Sequence, residues 1–71
     1  MGDIVQVRFG KRLRALRKKH GWTQEAFSHK LGLDRTYLSD IENGRMNVSL
    51  VNLEIIAKGF DLSLSKLLSG I

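Results

Sequence analysis

Along this chain an apolar residue repeatedly precedes a Thr, Asp or Ser, and a second apolar residue follows four positions beyond the polar one. The pattern occurs as Trp22-Thr23…Phe27, Leu33-Asp34…Leu38, Val48-Ser49…Leu53 and Leu62-Ser63…Leu67. Each is the start of a helix: the polar side chain accepts an orphan backbone N–H, and the flanking apolar pair fixes the direction of approach. Upstream, Phe9, Leu13 and Leu16 form the stripe of a first helix from about Val7 to His20. Gly21, Gly32, Gly44, Gly59 and Gly70 supply the stops, because glycine takes the left-handed backbone that closes a helix. There is no proline and no alternating strand pattern. The prediction is one all-α domain over residues 1–71, with five short helices joined by tight turns.

The stripes name the core: Phe9, Leu13, Leu16, Phe27, Leu31, Leu38, Ile41, Leu50, Leu53, Ile56, Ala57 and Phe60, with Leu64, Leu67 and Leu68 packing the last helix on. Ile55, Leu64, Leu68 and Ile71 then leave more apolar surface near the chain's end than one short helix can hide. Two readings fit them, a homodimer interface or terminal residues folding back on the core.

Composition narrows the class. A 71-residue domain has one small core and gains from a partner subunit. Without cysteines, disulfides, zinc ribbons and thiol chemistry are out. Two histidines without a carboxylate pattern make no metal site, and no cofactor is expected. There is no apolar run of membrane-spanning length. Met1-Gly2-Asp3-Ile4-Val5-Gln6 has Gln6 where myristoylation wants Ser or Thr, and no signal peptide is visible. The expected location is the cytoplasm.

The formal charge is +5, and it is uneven. Arg8, Lys11, Arg12, Arg14, Arg17, Lys18 and Lys19 face Asp3 alone within residues 1–22. Such an excess attracts polyanions, although charge runs are often only solvated faces.

The second and third helices are joined by Gly32-Leu33 with Asp34 as cap, a helix–turn–helix whose second helix fits a DNA major groove. On a wheel of roughly 100° per residue, with Arg35 at zero, Ser39, Asn43, Thr36 and Asp40 fall within about 140° of it. Leu38 and Ile41 lie opposite, and Tyr37 lies at the flank. Arg35 suits guanine O6 and N7, and Thr36 suits a base edge or a thymine methyl. Thr, Ser and Asn are poor helix formers, so their choice on a wet face suggests use. Glu42 falls between the two faces. A carboxylate repels DNA, so it is better paired inside, with Arg17 as the candidate partner. Asp40 has three open roles: accepting from cytosine N4, holding Arg35 or an adjacent side chain, or sitting at the groove's rim.

Thr23-Gln24-Glu25, Gly32-Leu33-Asp34 and Ile41-Glu42-Asn43-Gly44 resemble the Cro and phage-repressor type of helix–turn–helix, the xenobiotic-response-element family. The resemblance runs from about Phe9 to Leu68 and implies a compact five-helix lambda-repressor-like domain. It implies base contacts from Arg35 and Thr36, with Ser39 and Asp40 further along the helix. It implies phosphate contacts from Gln24, which also buttresses the start of the recognition helix, and from Thr23, Tyr37, Asn43 and Arg45. Arg17 and Glu42 match the family's internal ion pair. Asp34-Arg35-Thr36-Tyr37-Leu38-Ser39 and Asn47-Val48-Ser49-Leu50 are similar to controller proteins of restriction–modification systems, which are small dimeric regulators. Three positions depart from the pattern: Ser28 replaces a usual Ala, Val48 a common Pro, and Met46 a common Arg, with Arg45 beside it. The Ser28 hydroxyl needs a partner such as the carbonyl four residues earlier.

The expectation is a sequence-specific transcriptional regulator that binds a pseudo-palindromic operator in double-stranded DNA as a homodimer, with residues 35–43 in the major groove and no small-molecule ligand. An antitoxin-like protein-interaction module with autoregulatory DNA binding is the alternative. RNA binding lacks a platform of exposed aromatics. No nucleophile–base pair or phosphate loop can be assembled for an enzyme.

Overall fold

The computed structural model describes residues 4–71; Met1, Gly2 and Asp3, and the readings that fall on them, lie outside it. Five helices follow in order: α1 Val5–Lys19, α2 Gln24–Leu31, α3 Arg35–Glu42, α4 Leu50–Gly59 and α5 Leu64–Leu67. The described residues form no strand. None of their helices is long and apolar enough to cross a membrane.

All four caps read from the sequence form. Thr23 Oγ1 accepts from the Ala26 N–H at 3.0 Å, Ser49 Oγ from Asn52 at 3.1 Å, and Ser63 Oγ from Lys66 at 3.1 Å. Asp34 Oδ1 takes Thr36 at 2.7 Å and Tyr37 at 3.4 Å. Each satisfies an amide that the first helical turn leaves without a carbonyl. α1 has no such cap and begins two residues earlier than its stripe indicated.

The expected stops hold with one exception. Gly59 is the last residue of α4, and the left-handed residue is Asp61, with φ 58°. Here the Leu62 N–H reaches the Ala57 carbonyl at 2.8 Å, as the Arg45 N–H reaches the Asp40 carbonyl at 2.9 Å past Gly44. Gly59 serves clearance instead: a Cβ there would collide with Leu31 Cδ2 and press on Phe27. Gly10, in the middle of α1, has the same purpose. A Cβ there would lie 2.5 Å from the Ile41 carbonyl oxygen and 2.6 Å from that of Glu42. The two glycines let α1 approach the end of α3, and α4 approach α2.

α1 packs on α3, α2 bridges α3 and α4, and α5 closes on α4. The buried core is Phe9, Leu13, Leu16, Phe27, Leu38, Ile41, Ile56, Ala57, Phe60 and Leu67. Phe27, Leu13, Leu38, Ile41, Ile56 and Leu67 are fully enclosed, and burial of each stabilises by about 1.5–3 kcal/mol. Trp22 stacks on His20, Phe27 and Phe60 with centroids 4.4, 5.3 and 5.9 Å away, and Lys30 Nζ sits 4.5 Å above its ring. Leu31 and Leu53 are half-buried at the margin. Leu50, expected inside, is 70 % exposed and stands beside Val51 at 69 %. As the first residue after a cap, it precedes the point where the stripe of α4 turns inward. The Ser28 hydroxyl donates to the Glu25 carbonyl, three residues back, at 2.9 Å.

Candidate nucleic-acid interface

Helices α2 and α3 meet through Gly32, at φ 71°, and Leu33, which packs against the core. A left-handed turn at Gly32 lets the Leu33 N–H close on the Ser28 carbonyl at 3.0 Å, so α3 leaves at a fixed angle. The inner edge of α3 is anchored by Leu38 and Ile41, both essentially inaccessible. Its outer edge follows the wheel: Arg35, Thr36 and Asn43 are exposed, and Ser39 and Asp40 are half-exposed.

Glu42 lies inside, as charge reasoning required. Its Oε2 takes the Arg17 Nε at 2.7 Å, and its Oε1 takes Arg17 Nη2 at 2.9 Å. Arg17 spends Nη1 on the Trp22 carbonyl at 2.8 Å. The Arg17 pKa is raised, first by its hydrogen bond to Glu42 and then by that carboxylate's charge, against a desolvation cost. A planar guanidinium meeting a carboxylate through two parallel bonds suits a buried pair. Gln24 joins them: its Nε2 donates to Glu42 Oε1 at 3.1 Å. The first residue of α2 and the last residue of α3 are thereby tied through one carboxylate. The buttressing expected of Gln24 thus reaches the end of α3 rather than its beginning.

Other expected site residues also have partners. Tyr37 is half-buried, and its hydroxyl oxygen accepts from Asn52 Nδ2 at 2.9 Å. Asn43 turns its amide back to the Ser39 carbonyl at 2.9 Å. Thr23 is committed to its cap but remains exposed. Arg45 is exposed, with Nη1 3.7 Å from Asp40 Oδ1. Among the open roles for Asp40, the neighbour it faces is Arg45 rather than Arg35. A shallow cleft lined by Arg17, Thr23, Gln24, Glu25 and Arg35 separates the beginnings of α2 and α3.

One correction concerns the remaining surface. The basic residues of α1 do not form one free patch. Arg8 Nε donates to the Ile71 carbonyl at 2.8 Å, Arg12 donates to the Leu67 and Lys66 carbonyls at 3.1 and 2.8 Å, and Arg17 is buried. Carbonyls at the end of α5 attract cations as a polyanion does, and the charge count alone could not tell the two uses apart. The four residues named as a subunit interface border three different clefts. Leu68 and Ile71 line an apolar cleft with Val5, Phe9, Met46, Val48 and Leu53; Leu64 lies by Leu50, Val51 and Glu54; Ile55 lies by Lys30, Leu31 and Lys58. Asn52 went unnoticed in the sequence, although a poor helix former in the first turn of an apolar helix was a usable signal.

A short turn that holds one helix outward, with its acid neutralised from behind, defines a helix–turn–helix protein. The helix-turn-helix family HTH_3 matches residues 13–67. The chain belongs to this family and is a DNA-binding transcriptional regulator. It is 54% identical over 72 residues to control protein C.MunI of a Mycoplasma species, a match covering 100% of this chain and 96% of that one. The restriction-modification controller protein C.AhdI from Aeromonas hydrophila superposes with a TM-score of 0.84 at 44% identity, over 87% of this chain and 94% of the other. SinR, a master regulator for biofilm formation solved in complex with DNA, superposes at 0.78 with 34% identity, over 86% of this chain and 98% of its own.

Proposed function

We propose that this chain is the controller of a restriction–modification system, binding an operator as a homodimer with α3 in the major groove. The observation that carries this reading is the division of α3: an apolar inner edge, a neutralised acid at its end, and an outer edge of Arg35, Thr36, Ser39, Asp40 and Asn43. Arg35 and Thr36 read base edges, with Ser39 and Asp40 further along the groove. Asp40 faces Arg45 and steadies it. Thr23, Gln24, Tyr37, Asn43 and Arg45 surround this edge and meet phosphates. Gln24 keeps one amide hydrogen beyond its bond to Glu42 for that purpose.

Subunits pair over the exposed Leu50 and Val51, with Leu64 beside them. Two copies place their α3 helices roughly 34 Å apart, one turn of DNA, so the operator is a pseudo-palindrome. The protein acts by occupancy in the cytoplasm and performs no chemistry. Selection of bound duplexes from a random pool, with sedimentation of the complex, tests this reading. The expected result is a two-fold symmetric site holding two subunits. Equal retention of random and selected duplexes refutes it.

A further inference from the structure

The backbones of α3 and α4 make few close approaches, and among the described residues one side-chain hydrogen bond joins the two helices: Asn52 Nδ2 to the Tyr37 hydroxyl, 2.9 Å. Both ends are rigidly mounted. The Tyr37 N–H is held by the Asp34 cap and its ring packs against the core. The Asn52 N–H is held by the Ser49 cap. Each residue therefore sits in the capped first turn of its own helix, and the bond spans the gap between those turns.

The polarity of the bond has a consequence. The phenol oxygen accepts from the amide, so the hydroxyl proton is left to donate elsewhere. No other partner takes it within the described residues. Accepting one hydrogen bond also polarises the O–H and makes it a stronger donor. Tyr37 lies at the flank of the reading edge. There the acceptors that a DNA duplex offers are phosphate oxygens, to which tyrosine is a recurrent donor.

We propose that Asn52 is a positioning residue of the DNA interface, which holds the Tyr37 hydroxyl so that its proton is directed at one backbone phosphate in each half-site. The inference rests on the DNA-binding reading above. It makes α4 a participant in recognition although its side chain touches no base. The residue also adjoins Leu50 and Val51, so the proposed subunit helix and the reading helix share a fixed point.

The test uses the selected duplex and a set of duplexes that each carry one neutral methylphosphonate. Affinities are measured by fluorescence anisotropy for the natural protein, Tyr37→Phe and Asn52→Ala, with thermal unfolding recorded for each. At one phosphate per half-site, the natural protein loses about tenfold on neutralisation, as for a hydrogen bond to a charged group. Tyr37→Phe loses nothing further there. For Asn52→Ala the loss at that same phosphate shrinks to about threefold or less, while every other phosphate behaves as in the natural protein. Asn52→Leu, which keeps the volume and removes the donor, serves if the alanine variant unfolds. A full tenfold loss in the Asn52 variants overturns the inference, as does an effect spread evenly over all phosphates or a Tyr37→Phe profile identical to the natural one. A natural protein that binds the duplex but is indifferent to every phosphate also overturns the inference, whereas one that holds no duplex at all refutes the DNA-binding reading, a distinct outcome.

Discussion

Replacing Arg17 by Met tests the buried network most directly. The change removes three hydrogen bonds, to Glu42 Oε2 at 2.7 Å, Glu42 Oε1 at 2.9 Å and the Trp22 carbonyl at 2.8 Å. It leaves a carboxylate whose side chain is 2 % exposed with only the Gln24 amide at 3.1 Å. Stranding a buried charge in this way costs about 3–5 kcal/mol. A domain of 71 residues has roughly 4–11 kcal/mol in total. The single variant should therefore lose between about a quarter of its stability and all of it, a fall in melting temperature of roughly 12–40 °C. Urea titration followed by the fluorescence of Trp22, the one tryptophan in the chain, reads the loss, because its carbonyl is an Arg17 partner and its ring lies in the aromatic stack. Arg17→Met combined with Glu42→Leu removes both charges and fills similar volume. Such exchanges are often neutral or stabilising, so the double variant should recover most of the loss. A single variant that costs under about 1 kcal/mol, as an exposed pair does, or a double variant as poor as the single, refutes the reasoning. The Arg17 pKa is raised, so the cation's share of stability is complete below the ordinary arginine range and is lost only above it. Titration of Arg17 should therefore produce no loss of stability from neutral pH to about 9.

Three further outcomes are expected. Arg35→Ala should cost about 1–3 kcal/mol of affinity per half-site and relax preference at one base position, seen as a flattened column in the selected-site logo. Gly10→Ala should destabilise by about 1–3 kcal/mol or more in urea titration, because the Ile41 and Glu42 carbonyls cannot yield without moving the end of α3. Leu50→Glu with Val51→Glu should leave the fold intact, since both side chains are exposed, while sedimentation shows a shift from dimer to monomer.

The helices were legible because their starts are written in local chemistry. Thr23, Asp34, Ser49 and Ser63 bond within three residues of themselves, and a cap needs no knowledge of the remaining chain. The two faces of α3 were legible for the same reason, and the Arg17–Glu42 pair followed from what a carboxylate cannot do beside DNA. What escaped depends on distance across the fold. Gly59 reads as a stop in one dimension, and only the approach of Leu31 gives it its actual use. Arg8 and Arg12 count as surface charge until the carbonyls of residues 66, 67 and 71 arrive beside them. Leu50 fits an apolar stripe, yet its place at the first turn leaves it outside. Asn52 and Tyr37 are fifteen residues apart, and no spacing rule links them.

α3 is mounted by its inner margin, its flank and its two ends, through Leu38, Ile41, Tyr37, Asp34 and Glu42. Nothing in that mounting involves the side chains of Arg35, Thr36 or Ser39. Those three letters can be exchanged with little strain on the scaffold beneath. A lineage built on this frame could change its genomic address by a few codons, without first having to rebuild the machine that carries the label.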